Sequence, residues 1–147
     1  MNSIIVGCSK RKRASQEPLA ALDLYEGGCV PWIRRRADMQ AHLRECVFIL
    51  SAQHGLLGAN DPILPYDHPL SLNRAGELRS LVWQAVQERI LMPLMPAHLL
   101  IIAEPLYFLL LADMLAYTNR PLLHWIPDLS TNLTEVESML NEWGWPQ

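Results

Sequence analysis

Cysteine is sparse in this chain, and the signatures that name an enzyme class on sight are missing. The three cysteines, Cys8, Cys29 and Cys46, are odd in number and lack CxxC spacing. That argues against a disulfide framework or a zinc ribbon and fits a reduced, cytoplasmic protein. No apolar run reaches the roughly 18 residues that cross a bilayer; Leu99 to Leu111 is interrupted by Glu104 and Pro105. No charged region precedes an apolar one at the N-terminus, so no secretory leader is expected. A Walker phosphate loop, a GxGxxG fingerprint and a GxSxG elbow are all absent. His42, His54, His68, His98 and His124 are scattered without HxxxH or HExxH spacing, so neither a metal nor a cofactor is expected.

What is present is an ordinary globular balance. Half of the 147 residues are hydrophobic and 18% are charged, enough to build one core, and a single domain over 1–147 is expected. The net charge of −3 hides an asymmetry. Residues 1–44 hold eight Lys/Arg against four Asp/Glu, and the remainder holds four against eleven. Lys10-Arg11-Lys12-Arg13 and Arg34-Arg35-Arg36 account for the excess. They suit an anionic ligand near the N-terminal third, or simply a solvated surface.

Ile4 to Gly7, Val47 to Ser51, His98 to Ala103 and Leu122 to Trp125 read as short strands, the longer of them continuously apolar as in doubly covered parallel sheets. Leu19 to Tyr25 behind Pro18, Pro31 to Arg44 with its arginines outward, and Leu106 to Tyr117 read as helices. So do a segment from Ser71 or Asn73 to Leu91 and the stretch from Ser130 to Trp143. The stripe Leu78, Leu81, Val82, Ala85, Val86 and Ile90 is the clearest helical signal. Strands alternating with helices imply an α/β three-layer sandwich around a mainly parallel, roughly four-stranded, Rossmann-like sheet. Loops leaving the strands' carboxyl ends then converge at one edge: 8–13, 51–70 and 104–107.

The segment from Ser51 to Leu70 lacks helical or strand periodicity and is long for so small a domain. Leu56, Leu57, Ile63, Leu64 and Tyr66 seek burial, so it is expected to be ordered and functional. Within it, His54 beside Gly55 suits acid/base work or substrate contact, or is an ordinary hydrogen-bonded loop histidine. Asp67, stiffened by Pro65 and Pro69, is a positioned carboxylate or a helix-proximal cap. After the first strand, Gly7-Cys8-Ser9-Lys10-Arg11-Lys12 offers a hydroxyl and an ammonium to an anion. Cys8 itself is either a small buried hydrophobe or a thiolate favoured by nearby cations. Tyr25, ahead of Gly27-Gly28, stacks on a base, holds a phosphate or staples the core. The five tryptophans read as core or rim.

Taken together, Cys8-Ser9-x-x-Lys12, Leu24-Tyr25-x-Gly27, Leu50-Ser51-Ala52-x-His54-Gly55-Leu56-Leu57 and Pro65-Tyr66-Asp67 resemble the small bacterial and phage domain family DUF6884. More distantly they are similar to the YaaA peroxide-stress family, and the Cys-Ser-x-x-Lys element resembles the lyase region of archaeosine synthase. The resemblance spans about residues 3–91. It implies nucleobase or N-glycosidic chemistry, or DNA binding, with Ser9, Lys12, Tyr25, His54, Gly55, Tyr66 and Asp67 lining the site. The chain departs from the YaaA pattern at His54 (Tyr there), at Asp67 (Arg there) and at Ala103 to Tyr107, which lacks the expected Gly-Gly.

The leading expectation is therefore an enzyme directed at a nucleobase or its N-glycosidic bond, in a nucleotide or single-stranded nucleic acid. Asp67 and His54 take the catalytic roles, and Cys8, Ser9, Lys12, Tyr25, Gly55, Tyr66 and Tyr107 bind substrate. The rivals are a non-catalytic nucleotide or nucleic-acid binding module for stress or phage defence, and a protein-interaction domain. A protein partner or homo-oligomer stays open, and no membrane is involved.

Overall fold

The computed structural model describes residues 2–147. Its centre is a five-stranded sheet in the order β4-β3-β1-β6-β7. Strands β1 (Ser3–Gly7), β3 (Val47–Ser51), β6 (His98–Ile102) and β7 (Leu122–Ile126) run parallel, and β4 (Gly55–Gly58) is antiparallel at the edge. Ile4 pairs with Val47 on one side and with Leu100 on the other, so the first strand made is the centre of the sheet.

Side chains alternate along each strand and sort the core into two layers. Ile4, Val6, Val47, Ile49, Leu100 and Ile102 pack under α1 (Ala21–Leu24), α2 (Val30–Ala37) and α7 (Leu133–Glu142). Ile5, Phe48, Leu50, Leu99 and Ile101 pack under α4 (Leu72–Val86) and the segment that carries Leu110, Leu111 and Met114. The three-layer α/β sandwich is the architecture the sequence implies.

Several local elements differ from the sequence reading. Residues 51–70 are not irregular throughout. The chain turns over Ala52–His54, adds β4 to the sheet edge, and pairs β5 (Pro62–Ile63) with β2 (Leu19–Ala20). Gly55 makes the turn possible at φ 79°, where an added Cβ would also meet Val82 at 3.3 Å. The helix expected over Leu19 to Tyr25 shrinks to the single turn α1, because Leu24 to Glu26 pairs with Arg11 to Arg13 instead.

The helix from Pro31 breaks after Ala37 and resumes as α3 (Ala41–Arg44). Its arginines do not all face outward: Arg36 is buried against Asn141 and the Trp145 carbonyl. Ser71, rather than Asn73, caps α4 by accepting the Arg74 amide, and the helix continues as a π turn over Gln87–Leu91. Leu106 to Tyr117 divides into α5 (Pro105–Phe108), a 3-10 turn and α6 (Ala112–Leu115). The last helix begins at Leu133, after a 3-10 turn capped by Asp128. Among the described residues, no helix is long and apolar enough to cross a membrane.

Candidate functional site

In an open parallel sheet, ligands bind outside the strand carboxyl ends where the connections part to opposite sides of a strand. Here that point lies between β1 and β6. A cavity of about 820 Å³ opens there, walled by the ends of β1 and β6, residues 67–70 and the turn after β7. Its volume lies within the range of small-molecule sites.

Four sequence motifs meet beside it as one interlocked cluster. Ser9 Oγ donates to the Arg11 carbonyl and accepts the Gly27 amide, which ties the first loop to the Tyr-x-Gly turn. Lys12 pairs its backbone with Tyr25, and its ammonium sits 4.3 Å from the centre of the Tyr66 ring and donates to the Lys10 carbonyl. Beneath it, the Tyr66 hydroxyl lies 2.6 Å from that of Tyr25 and 2.7 Å from Ser51 Oγ.

That hydroxyl chain has a direction. Ser51 Oγ already accepts the amides of Gln53 and His54, which occupies both of its lone pairs. Its own proton must then go to Tyr66, and Tyr66 donates onward to Tyr25. Arg74 completes the turn by donating to the Ala52 and Gln53 carbonyls. The Ser-x-Gln-His-Gly motif is thus clamped from both sides.

Burial pushes the Tyr25 phenol up to about 12 and also raises Tyr66 and Tyr107, with a charge on Cys8 acting in the same direction on all three. All three phenols are neutral donors at pH 7. Cys8 Sγ donates to the Tyr107 hydroxyl at 3.1 Å. Burial, and then the nearby Arg74 charge, lowers His54, whose ring meets the Tyr66 edge.

The nominated residues divide into two groups. Cys8, Ser9, Lys12, Asp67 and Tyr107 line the cavity, as do Lys10 and His68. Tyr25, His54, Gly55 and Tyr66 stand behind that wall, and Tyr25 has no exposed surface through which to stack on a ligand. Asp67 is exposed and makes no hydrogen bond or ion pair among the described residues. Trp32, Cys29, Glu104 and Asp128 also line the cavity, beyond the residues that the sequence points to. Trp32 and Tyr107 bring aromatic rings to the cavity, whereas Tyr25 is fully buried. Among the described residues, no group of three His, Cys, Asp or Glu side chains is placed to hold a metal ion.

The sequence model of a family of unknown function, DUF6884, matches residues 4–129. The chain belongs to the DUF6884 family. The match runs from β1 through the turn after β7, so the DUF6884 region contains the cavity's walls except those contributed by residues 130–133. No curated protein and no solved structure matches this DUF6884 chain.

Proposed function

We propose that the protein is an enzyme directed at a nucleobase or its N-glycosidic bond, acting on a nucleotide or a single strand of nucleic acid. The observation that carries this reading is the cavity's pairing of an anchored cation with a free carboxylate. Lys12, fixed on the Tyr66 face, meets the phosphate, and Trp32 offers the base a stacking surface. Asp67 spends its charge on no partner among the described residues, so it is available to activate water or to stabilise an oxocarbenium-like sugar.

His54 acts from behind the wall through the Tyr66 ring rather than on substrate. A cytoplasmic setting suits this reading, since Cys8, Cys29 and Cys46 are odd in number and lack the spacing of a disulfide framework. The net acidic body favours a nucleotide or single strand over long duplex DNA.

The test begins with thermal shift against nucleosides, nucleotides and short oligonucleotides, wild type beside Lys12→Ala. Chromatographic detection of released or altered base follows for any ligand that stabilises. Nucleotide stabilisation lost in the variant, with turnover, supports the reading. Stabilisation without turnover makes the protein a binding module, and no stabilisation by any of them overturns both.

A further inference from the structure

Two cysteines line the same cavity in different surroundings. Cys29 starts the turn into α2, where burial pushes its thiol up to about 12. Cys8 stands at the carboxyl end of β1, half-buried, with its sulfur 3.1 Å from the Tyr107 hydroxyl. Gly7 lies beside that contact, where a Cβ would meet the Ala103 side chain at 3.4 Å and the Tyr107 ring at 3.6 Å, both ordinary packing distances. Charged and titratable groups face Cys8 from several elements. Lys12 comes from its own loop, Tyr25 from the end of α1, Tyr66 from the loop before α4, and Tyr107 with Glu104 from the start of α5. The tyrosines are neutral phenols, and the directed chain from Ser51 leaves the Tyr25 proton unspent among the bonds described.

We propose that Cys8 is a nucleophilic thiol of this cavity, which adds to an electron-poor double bond of a bound ring, as at carbon 6 of a pyrimidine. Sulfur bonds to carbon 6, the 5,6 π pair shifts toward carbon 4, and the carbonyl oxygen there takes the Tyr107 proton. The Cys8 proton, already directed at Tyr107 oxygen, restores the phenol. The step adds S–H across the conjugated ring, with no leaving group and no change of redox state. The identity of the ring rests on the nucleotide reading; the reactivity of the thiol does not.

The test uses N-ethylmaleimide, whose electron-poor double bond undergoes the same addition, with adducts located by peptide mass. Cys8 should be labelled about tenfold or more faster than Cys29 or Cys46. Tyr107→Phe should slow Cys8 several-fold while leaving the Cys29 rate and the melting temperature unchanged. Equal labelling of Cys29 or Cys46, or a Cys8 rate indifferent to Tyr107→Phe, overturns the proposal. Excess uridine monophosphate should protect Cys8. If Cys8 stays fast and unprotected, the nucleotide assignment of the ring fails while the thiol stands.

Discussion

Residues 55–63 and residues 64–70 follow one another between β3 and α4, and they treat a carboxylate in opposite ways. In the first stretch, Asp61 is held by Arg89 through two hydrogen bonds, at 2.5 and 2.9 Å, and accepts the Gly58 amide. The Arg89 bond, ahead of the Gly58 amide, keeps its carboxyl below the usual carboxylate range. In the second stretch, Asp67 stands at the cavity edge with no such partners among the described residues. The same side chain type, six positions on, is fastened where it shapes the sheet edge and left free where it borders the cavity. A long loop therefore carries two jobs in sequence, and the partners each carboxylate finds mark which residues do which.

The sharpest way to break this contrast is to neutralise each carboxylate in turn. Asp67→Asn should abolish turnover on whichever nucleotide substrate the screen finds, with the melting temperature unchanged; retained turnover would return Asp67 to a surface role. Tyr66→Phe comes next. It strips the hydroxyl between Ser51 and Tyr25 and leaves two buried hydroxyls short of a partner, costing about 2 kcal/mol in denaturant unfolding.

Asp61→Asn should cost about 1–2 kcal/mol, since both members of its ion pair are partly exposed. Its pH signature fixes the cause. A carboxyl held low in the folded state contributes fully above the unfolded value of about 4 and loses that contribution as pH falls through its lowered value. Wild type and Asp61→Asn should therefore differ at neutral pH and converge in acid. A gap that persists undiminished in acid would place the effect in packing instead.

The smallest effect belongs to His54. Its folded value is lowered, so the unfolded chain takes up the proton first and stability declines as pH falls below about 6.5. His54→Gln should flatten the melting temperature between about pH 8 and about pH 5. An unchanged slope would show that the proton is taken up elsewhere.

The parallel strands were legible because burial on both faces leaves apolar runs such as Ile4-Ile5-Val6 and Leu99 to Ile102 with no polar gap. α4 was legible from its stripe. β4 was not, because Gly-Leu-Leu-Gly has no β-branched residue and becomes a strand only through pairing with β3. The short helix before Tyr25 failed for a related reason: pairing with Arg11 to Arg13 outweighed local preference. At the site, Cys8, Ser9, Lys12, Asp67 and Tyr107 could be placed by asking which residues follow a strand or end a stiff loop. Trp32 and Asp128 enter the cavity from a helix side and a turn after the edge strand, where only the assembled layers bring them round.

The central place of β1 also bears on how the chain acquires its shape. The first strand synthesised waits for Val47 and then for Leu99 before both of its edges are covered. Those distant pairings close slowly, whereas the β3–β4 turn is local and quick. An emerging chain that stops short of Tyr107 would have the Cys8 to Lys12 loop but no opposite wall, and would leave Ile5 and its neighbours open to other chains. Assembly of the cavity is thus tied to completion of β6, and a truncated product is more prone to aggregate than to act.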